Sequence, residues 1–104
     1  MPKFEKIAVV GIGLIGASLA AAFKKFEPAL TITAVDRSAK SIKKAEKLGI
    51  IDRGFTEIKD NLKEQDLIFI AVPVAVIPAV IREIKKGSQN QQLLVDAGST
   101  KEEI

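Results

Sequence analysis

The chain has 104 residues, 47% of them hydrophobic, which is the size and composition of a single domain with its own core. It contains no cysteine and no histidine, so it has no disulfides and no thiolate chemistry, and zinc would lack both of its usual ligands. The net charge of +3 is scattered rather than concentrated on one face, and no apolar run reaches the roughly 20 residues of a membrane span, so we expect a cytoplasmic domain without nucleic-acid or membrane partners.

The first predicted element is a buried strand over residues 6–10, almost all apolar, as in a parallel strand covered on both faces. Three glycines follow in the spacing G-x-G-x-x-G: Gly11, Gly13 and Gly16. Residues 14–25 are rich in alanine and predict a helix. The pattern therefore describes a strand, a tight turn and the start of a helix.

Pro28 ends this helix, because proline cannot continue it. We assign Phe23 and Phe26, near the end of the helix, to the core. The next strand covers residues 30–35 and is rich in β-branched residues. Asp36 follows it directly, 20 residues after the third glycine. Asp36 is therefore expected at the carboxyl end of the sheet, where open α/β sheets bind their ligands.

The rest of the chain continues the alternation of helices and strands. A helix capped by Ser38 and closed by Gly49 comes first, followed by a short edge strand within residues 51–55 and a short helix or turn over 57–62. A strand over 67–72 is then followed by a helix that has Pro78 in its first turn and ends at Gly87. The last predicted strand covers residues 93–95. The apolar face of the last helix is formed by Val74, Ile77, Val80, Ile81 and Ile84.

This alternation predicts an α/β fold of the Rossmann type, a doubly wound parallel sheet in three α/β/α layers. Right-handed crossovers give the strand order 3-2-1-4-5. Residues 97–104 begin a second strand-to-helix turn and stop after a few residues of the helix. Such a short helix cannot hold itself together, so the chain end resembles a cut inside a longer protein.

The glycine turn has a specific chemistry when it follows a strand and opens a helix. Gly11 lets the chain turn sharply, Gly13 lets the backbone approach a pyrophosphate, and Gly16 lets the helix pack closely on the sheet. The N–H groups of Leu14 and Ile15 then face the phosphates at the positive end of the helix dipole. The alternative interpretation is that the three glycines serve only the turn and the packing.

Asp36 indicates which dinucleotide is bound. Its carboxylate can accept hydrogen bonds from both hydroxyls of an adenosine ribose, and its charge would repel a 2′-phosphate. NAD is therefore favoured over NADP. Arg37 weakens this preference, because a guanidinium beside the ribose can hold such a phosphate.

Over essentially its whole length, the sequence resembles the nucleotide-binding half of the prephenate dehydrogenase family, including its arogenate relatives. The motifs that carry the resemblance are V-G-I-G-L-I-G-A-S-L from Val10, V-D-R from Val35 with a helix ending in L-G at Leu48, D-L-I-F-I-A-V-P-V from Asp66, and D-A-G-S-T-K from Asp96. The family oxidises prephenate with NAD in tyrosine biosynthesis. Prephenate loses a hydride and carbon dioxide and becomes 4-hydroxyphenylpyruvate.

The resemblance implies a set of site residues. It places Gly11, Gly13, Leu14, Ile15 and Gly16 at the pyrophosphate, Asp36 and Arg37 at the ribose, Ala71, Val72 and Pro73 along the cofactor cleft, and Ser99 near the nicotinamide and the substrate hydroxyl. By its spacing alone, Ser99 is equally suited to cap a helix. The catalytic histidine, the substrate-binding arginine and the helical dimerisation domain of the family all lie beyond this turn.

Residues 1–104 are therefore expected to be a dinucleotide-binding domain cut from a longer enzyme, and not catalytically competent alone. We expect an apolar patch near residues 97–104, which the missing domain or a homodimer would cover. Two alternatives remain open: the cofactor domain of a related hydroxyacid or imino-acid reductase, and a free-standing module that senses nucleotides.

Overall fold

The computed structural model describes residues 5–87 and 92–96, so the patch predicted near residues 97–104 lies outside the described residues. The elements are β1 (Lys6–Val10), α1 (Leu14–Phe26), β2 (Thr31–Val35), α2 (Ala39–Lys47), β3 (Arg53–Phe55), β4 (Leu67–Ile70), α3 (Ile77–Gly87) and β5 (Leu93–Asp96). A single 3₁₀ turn, Val74–Val76, precedes α3. The five predicted strands and the three predicted long helices are present. Their ends differ by at most two residues, except that α3 begins three residues after Val74.

The five strands form one parallel sheet in the order β3-β2-β1-β4-β5, which confirms the predicted topology. The strands also end level with one another. Val10 pairs with Val35 and with Ile70, and Val35 pairs with Phe55. The residues that follow these four strands therefore lie side by side along one edge of the sheet.

Alternate residues of each strand point to opposite faces of the sheet, and each face has its own core. On one face, Val9 of β1 belongs to the same buried cluster as Ala20 of α1 and Ala45 of α2. On the other face, Val10 belongs to a second cluster, which includes Ile84 of α3. This arrangement confirms the three α/β/α layers.

The assignment of Phe26 to the core is wrong, because this side chain is 87% exposed at the last residue of α1. Phe23 is partly buried as predicted, and its ring centroid lies 5.1 Å from that of Phe69. Val74 also leaves its predicted apolar face. The helix begins only at Ile77, and Val74 belongs to the preceding 3₁₀ turn, where it is 58% exposed.

The two predicted features that bound α2 are confirmed. The Ser38 hydroxyl accepts a hydrogen bond from the N–H of Ser41 at 3.1 Å, and Gly49 adopts a φ of +75° after the helix. Residues 59–64 form turns rather than a helix. Leu62 anchors this segment to the core, with 2% of its surface exposed. No helix in the described part of the chain has the length and apolar character needed to cross a membrane.

At the opposite edge of the sheet, carboxylates hold the beginnings of strands. Asp66 Oδ2 accepts the N–H groups of Glu5 at 2.8 Å and Lys6 at 2.9 Å. Asp52 Oδ2 accepts the N–H of Ile32 and an N–H of Lys24 Nζ, both at 2.7 Å. The two amide donors lower the pKa of Asp66. At Asp52, burial alone would raise the pKa, but Ile32 and Lys24 outweigh burial and lower it.

Replacing Asp66 with asparagine should lower the free energy of unfolding by about 1 kcal/mol at neutral pH, because a charged acceptor is lost at the start of β1. The pKa of Asp66 is lower in the folded chain than the ordinary value of about 4. Its stabilisation is therefore present above that pH and is lost as the pH falls through the folded-state pKa. Urea unfolding of both proteins should show a gap at neutral pH that narrows under acid conditions.

Glu64→Gln is the matched control. Glu64 pairs with Lys6 at 3.3 Å, but its side chain is 74% exposed, so the loss should stay below about 0.5 kcal/mol. Equal losses in the two variants would contradict the role given to Asp66.

Candidate functional site

The glycine turn begins with a residue that only glycine can fill. Gly11 has a φ of +96°, and its N–H donates to the carbonyl of Val35 at 2.7 Å. A Cβ at this position would press against the carbonyl oxygen of Ala71 and the side chain of Val72. Gly11 thus lets the loop after β1 pass closely between the ends of β2 and β4.

The other two glycines differ from each other. Gly16 is buried in α1, and a Cβ there would overlap the carbonyl oxygen of Gly11. At Gly13, φ is −72° and a Cβ would have no neighbouring atom within 4 Å. The turn and the helix packing therefore explain Gly11 and Gly16. They do not explain Gly13, where the fold itself leaves open space.

Gly13 is also the N-cap of α1, and its carbonyl accepts the N–H of Ala17 at 2.8 Å. No side chain caps the helix. In the described part of the chain, the N–H groups of Leu14 and Ile15 have no acceptor, as is usual for a first helical turn. These donors and the helix dipole favour an anion beside Gly13.

Asp36 lies next to this turn, because β1 and β2 end level. Its Oδ2 accepts the N–H of Ile12 at 2.7 Å, and its Oδ1 accepts the N–H of Ser38 at 2.8 Å. Its own N–H donates to the carbonyl of Phe55 at 3.0 Å. A carboxylate has about four acceptor positions, so one position on each oxygen is left for further donors.

A cleft of about 610 Å³ lies along this edge of the sheet. Seven of the predicted site residues line it: Gly11, Gly13, Asp36, Arg37, Ala71, Val72 and Pro73. Leu14, Ile15 and Gly16 do not line it. The side chains of Leu14 and Ile15 are exposed, and Gly16 is buried. Ser99 lies outside the described residues.

The far wall of the cleft was not predicted. It is formed by the segment after β3 and by α3 with its preceding turn, through Thr56, Glu57, Ile58, Lys59, Val76, Val80 and Glu83. The segment after β3 has no hydrophobic periodicity from which its place in the cleft could be predicted. The predicted strand order could have indicated it, because the end of β3 must lie beside the end of β2, where Asp36 is located.

Lys59 has the one positive φ, +35°, among the described residues other than glycine. Its ammonium group lies 3.0 Å from the carboxylate of Glu57, and this contact raises the pKa of Lys59. Both side chains are well exposed, so the pair lies at the solvent side of the cleft. No group of three or more potential metal ligands occurs in residues 5–87 and 92–96.

The strand order, the glycine turn and the acid after β2 together define the class of protein as a Rossmann-type α/β domain. The family model described as "Prephenate dehydrogenase, nucleotide-binding domain" matches residues 19–104. The chain belongs to this family, which confirms the resemblance seen in the sequence.

Curated relatives agree with this assignment. A prephenate dehydrogenase from Lactococcus lactis subsp. cremoris is 40% identical over 102 residues, which cover 96% of this chain and 28% of the relative. A cyclohexadienyl dehydrogenase from Zymomonas mobilis is 33% identical over 101 residues, which cover 97% of this chain and 34% of the relative. The chain thus spans about a third or less of these proteins.

Solved structures show the same relationship. Prephenate dehydrogenase from A. aeolicus, in complex with hydroxyphenyl propionate and NAD+, matches with a TM-score of 0.86 and 26% identity, covering 94% of this chain and 35% of that one. Arogenate dehydrogenase from Synechocystis matches with a TM-score of 0.81 and 26% identity, covering 88% of this chain and 32% of that one.

Alanine substitutions should separate the two kinds of glycine. Gly16→Ala should lower the free energy of unfolding by about 2 kcal/mol or more, because the new methyl group must displace the turn at Gly11. Gly13→Ala should cost at most about 1 kcal/mol, the difference between glycine and alanine at an N-cap. Urea unfolding measures both, and equal costs would contradict the distinction.

Proposed function

We propose that this chain binds NAD, with the diphosphate at the amino end of α1 and the adenosine ribose at Asp36. The observation that carries the proposal is the open space at Gly13, which lies in the same cleft as the Asp36 carboxylate. It is bordered by the Leu14 and Ile15 amides, which have no acceptor among the described residues. A diphosphate approaching Gly13 meets the N–H groups of Leu14 and Ile15 without a side chain in its path.

The cleft also fits the rest of an adenosine. Its walls are largely apolar, with Val35 and Val80 among the lining side chains, which suits the faces of a purine ring. The remaining acceptor positions of Asp36 suit the two ribose hydroxyls. The size of about 610 Å³ lies within the ordinary range for small-molecule sites.

The choice of NAD over NADP rests on charge. Asp36 is bonded to the glycine turn through the Ile12 N–H, and its two amide bonds hold it facing the cleft. A 2′-phosphate placed on this carboxylate would meet a like charge a few ångströms away, which costs about 1 kcal/mol or more. Arg37 lines the same cleft and reduces this penalty without removing it.

We further propose that this is the cofactor-binding part of a cytoplasmic, homodimeric oxidoreductase that converts prephenate to 4-hydroxyphenylpyruvate. Bound NAD would supply the hydride acceptor. The chain's own residues hold and orient the cofactor, and Ser99 is assigned to the nicotinamide side. The matched residues cover only 28% and 34% of the two relatives, and this chain contains no histidine to accept the hydroxyl proton, so we assign turnover to a longer protein.

Isothermal titration of the chain with NAD and with NADP tests the cofactor assignment. We expect NAD to bind, and to bind about tenfold more tightly than NADP, which corresponds to about 1.4 kcal/mol. A folded sample that shows no binding of NAD would contradict the proposal. Equal affinities would contradict the role of the Asp36 charge.

Gly13→Ala should weaken NAD binding at least about tenfold, because the methyl group occupies the space assigned to the diphosphate. The unfolding curve of the same sample is the control, since the fold tolerates the methyl group. Unchanged affinity in this variant would place the diphosphate elsewhere.

Incubation of the chain with prephenate and NAD should produce no reduced nicotinamide above the background rate, as followed by its absorbance. Steady turnover by the 104-residue chain would show that the missing proton acceptor is not required.

A further inference from the structure

The loop that carries Gly13 is hydrogen-bonded to the end of β2. The N–H of Gly11 donates to the carbonyl of Val35 at 2.7 Å, and the next N–H, that of Ile12, donates to Asp36 Oδ2 at 2.7 Å. The backbone of Asp36 is held in turn by Phe55. Among the described residues, the bond to the carboxylate is therefore the last hydrogen bond that the loop donates before Gly13.

Within residues 5–87 and 92–96, the Ile12 amide donates to Asp36 Oδ2 and to no other acceptor. The side chain of Ile12 is 6% exposed and belongs to the core, and the bond to Asp36 is partly buried. An amide left without an acceptor in such a position is poorly hydrated. The loop would have to move to expose the amide to water, and Gly13 would move with it.

The second oxygen of Asp36 fixes the direction of the carboxylate. Oδ1 accepts the N–H of Ser38, two residues along the chain, in an Asx turn that leads into α2. Both oxygens are thus held by amides before any ligand arrives. A rotation of the carboxylate that breaks its hydrogen bond to Ile12 would therefore also break its hydrogen bond to Ser38 at the start of α2.

We infer that Asp36 is a positioning residue for the diphosphate-binding loop as well as the acceptor for the ribose. Through the Ile12 N–H it sets the position of Gly13 and of the first amides of α1. This inference rests on the proposed function. It implies that Asp36 supports the binding of a dinucleotide that has no ribose hydroxyls to offer.

The test compares NAD with an analogue whose adenosine half is 2′,3′-dideoxyadenosine, titrated against the natural chain and Asp36→Ala. If Asp36 acted on the ribose alone, the substitution would not change the affinity for the analogue. We expect the analogue to bind about tenfold more weakly to the variant, the effect of losing one hydrogen bond to a charged group. Unchanged affinity for the analogue would overturn the inference.

Two further variants guard against a general loss of structure. Asp66→Ala removes a carboxylate that also accepts two backbone amides, but at the opposite edge of the sheet, and it should bind both ligands as the natural chain does. Asp36→Asn keeps one side-chain acceptor, so its affinity for the analogue should fall between those of the natural chain and Asp36→Ala. An equal loss in Asp66→Ala would overturn the inference.

Amide hydrogen exchange without ligand tests the same bond independently of binding. Exchange at Ile12 should be at least about tenfold faster in Asp36→Ala than in the natural chain, while the Gly11 amide keeps its protection. Unchanged exchange at Ile12 would overturn the inference. If the natural chain bound neither ligand, the proposed function would fail, and the exchange result would still decide whether Asp36 holds the loop.

Discussion

The site depends on the level pairing of β1 with both of its neighbours. Val10 is opposite Val35 on one side and Ile70 on the other, so Gly11, Asp36 and Ala71 follow their strands at the same height. A shift of one residue in either pairing would exchange the side chains of that strand between the two faces of the sheet and move its end by one position. The register of the strands therefore also fixes where the polar groups of the cleft meet.

Short carboxylates are used repeatedly to secure this sheet. Asp52 and Asp66 hold the beginnings of β2 and β1, and Asp36 holds the loop that follows β1. Each accepts a hydrogen bond from a backbone amide that is not paired with a neighbouring strand. Of these three carboxylates, Asp36 is the one at the edge where the strands end, and its remaining acceptor positions lie along the cleft.

Much of the architecture could be predicted because the signals were local. Apolar runs marked β1, β2 and β4, glycine and proline marked the ends of helices, and the glycine spacing marked the turn. The wall formed by Thr56 and Lys59 could not be read in this way, because turns without a period depend on what they pack against. The predicted burial of Phe26 was wrong for a related reason. An aromatic residue at the end of a helix is buried only if a neighbouring element covers it, and Phe26 is exposed.

Gly13 shows that one motif can record two separate demands. If a library of variants were selected for folding alone, alanine would be rejected at Gly11 and Gly16, where no room exists for a methyl group, but retained at Gly13. Under the proposed function, selection for cofactor binding would remove alanine at Gly13 as well. A substitution at Gly13 would therefore identify related proteins that still fold but no longer bind the cofactor, before any residue of their cores had changed.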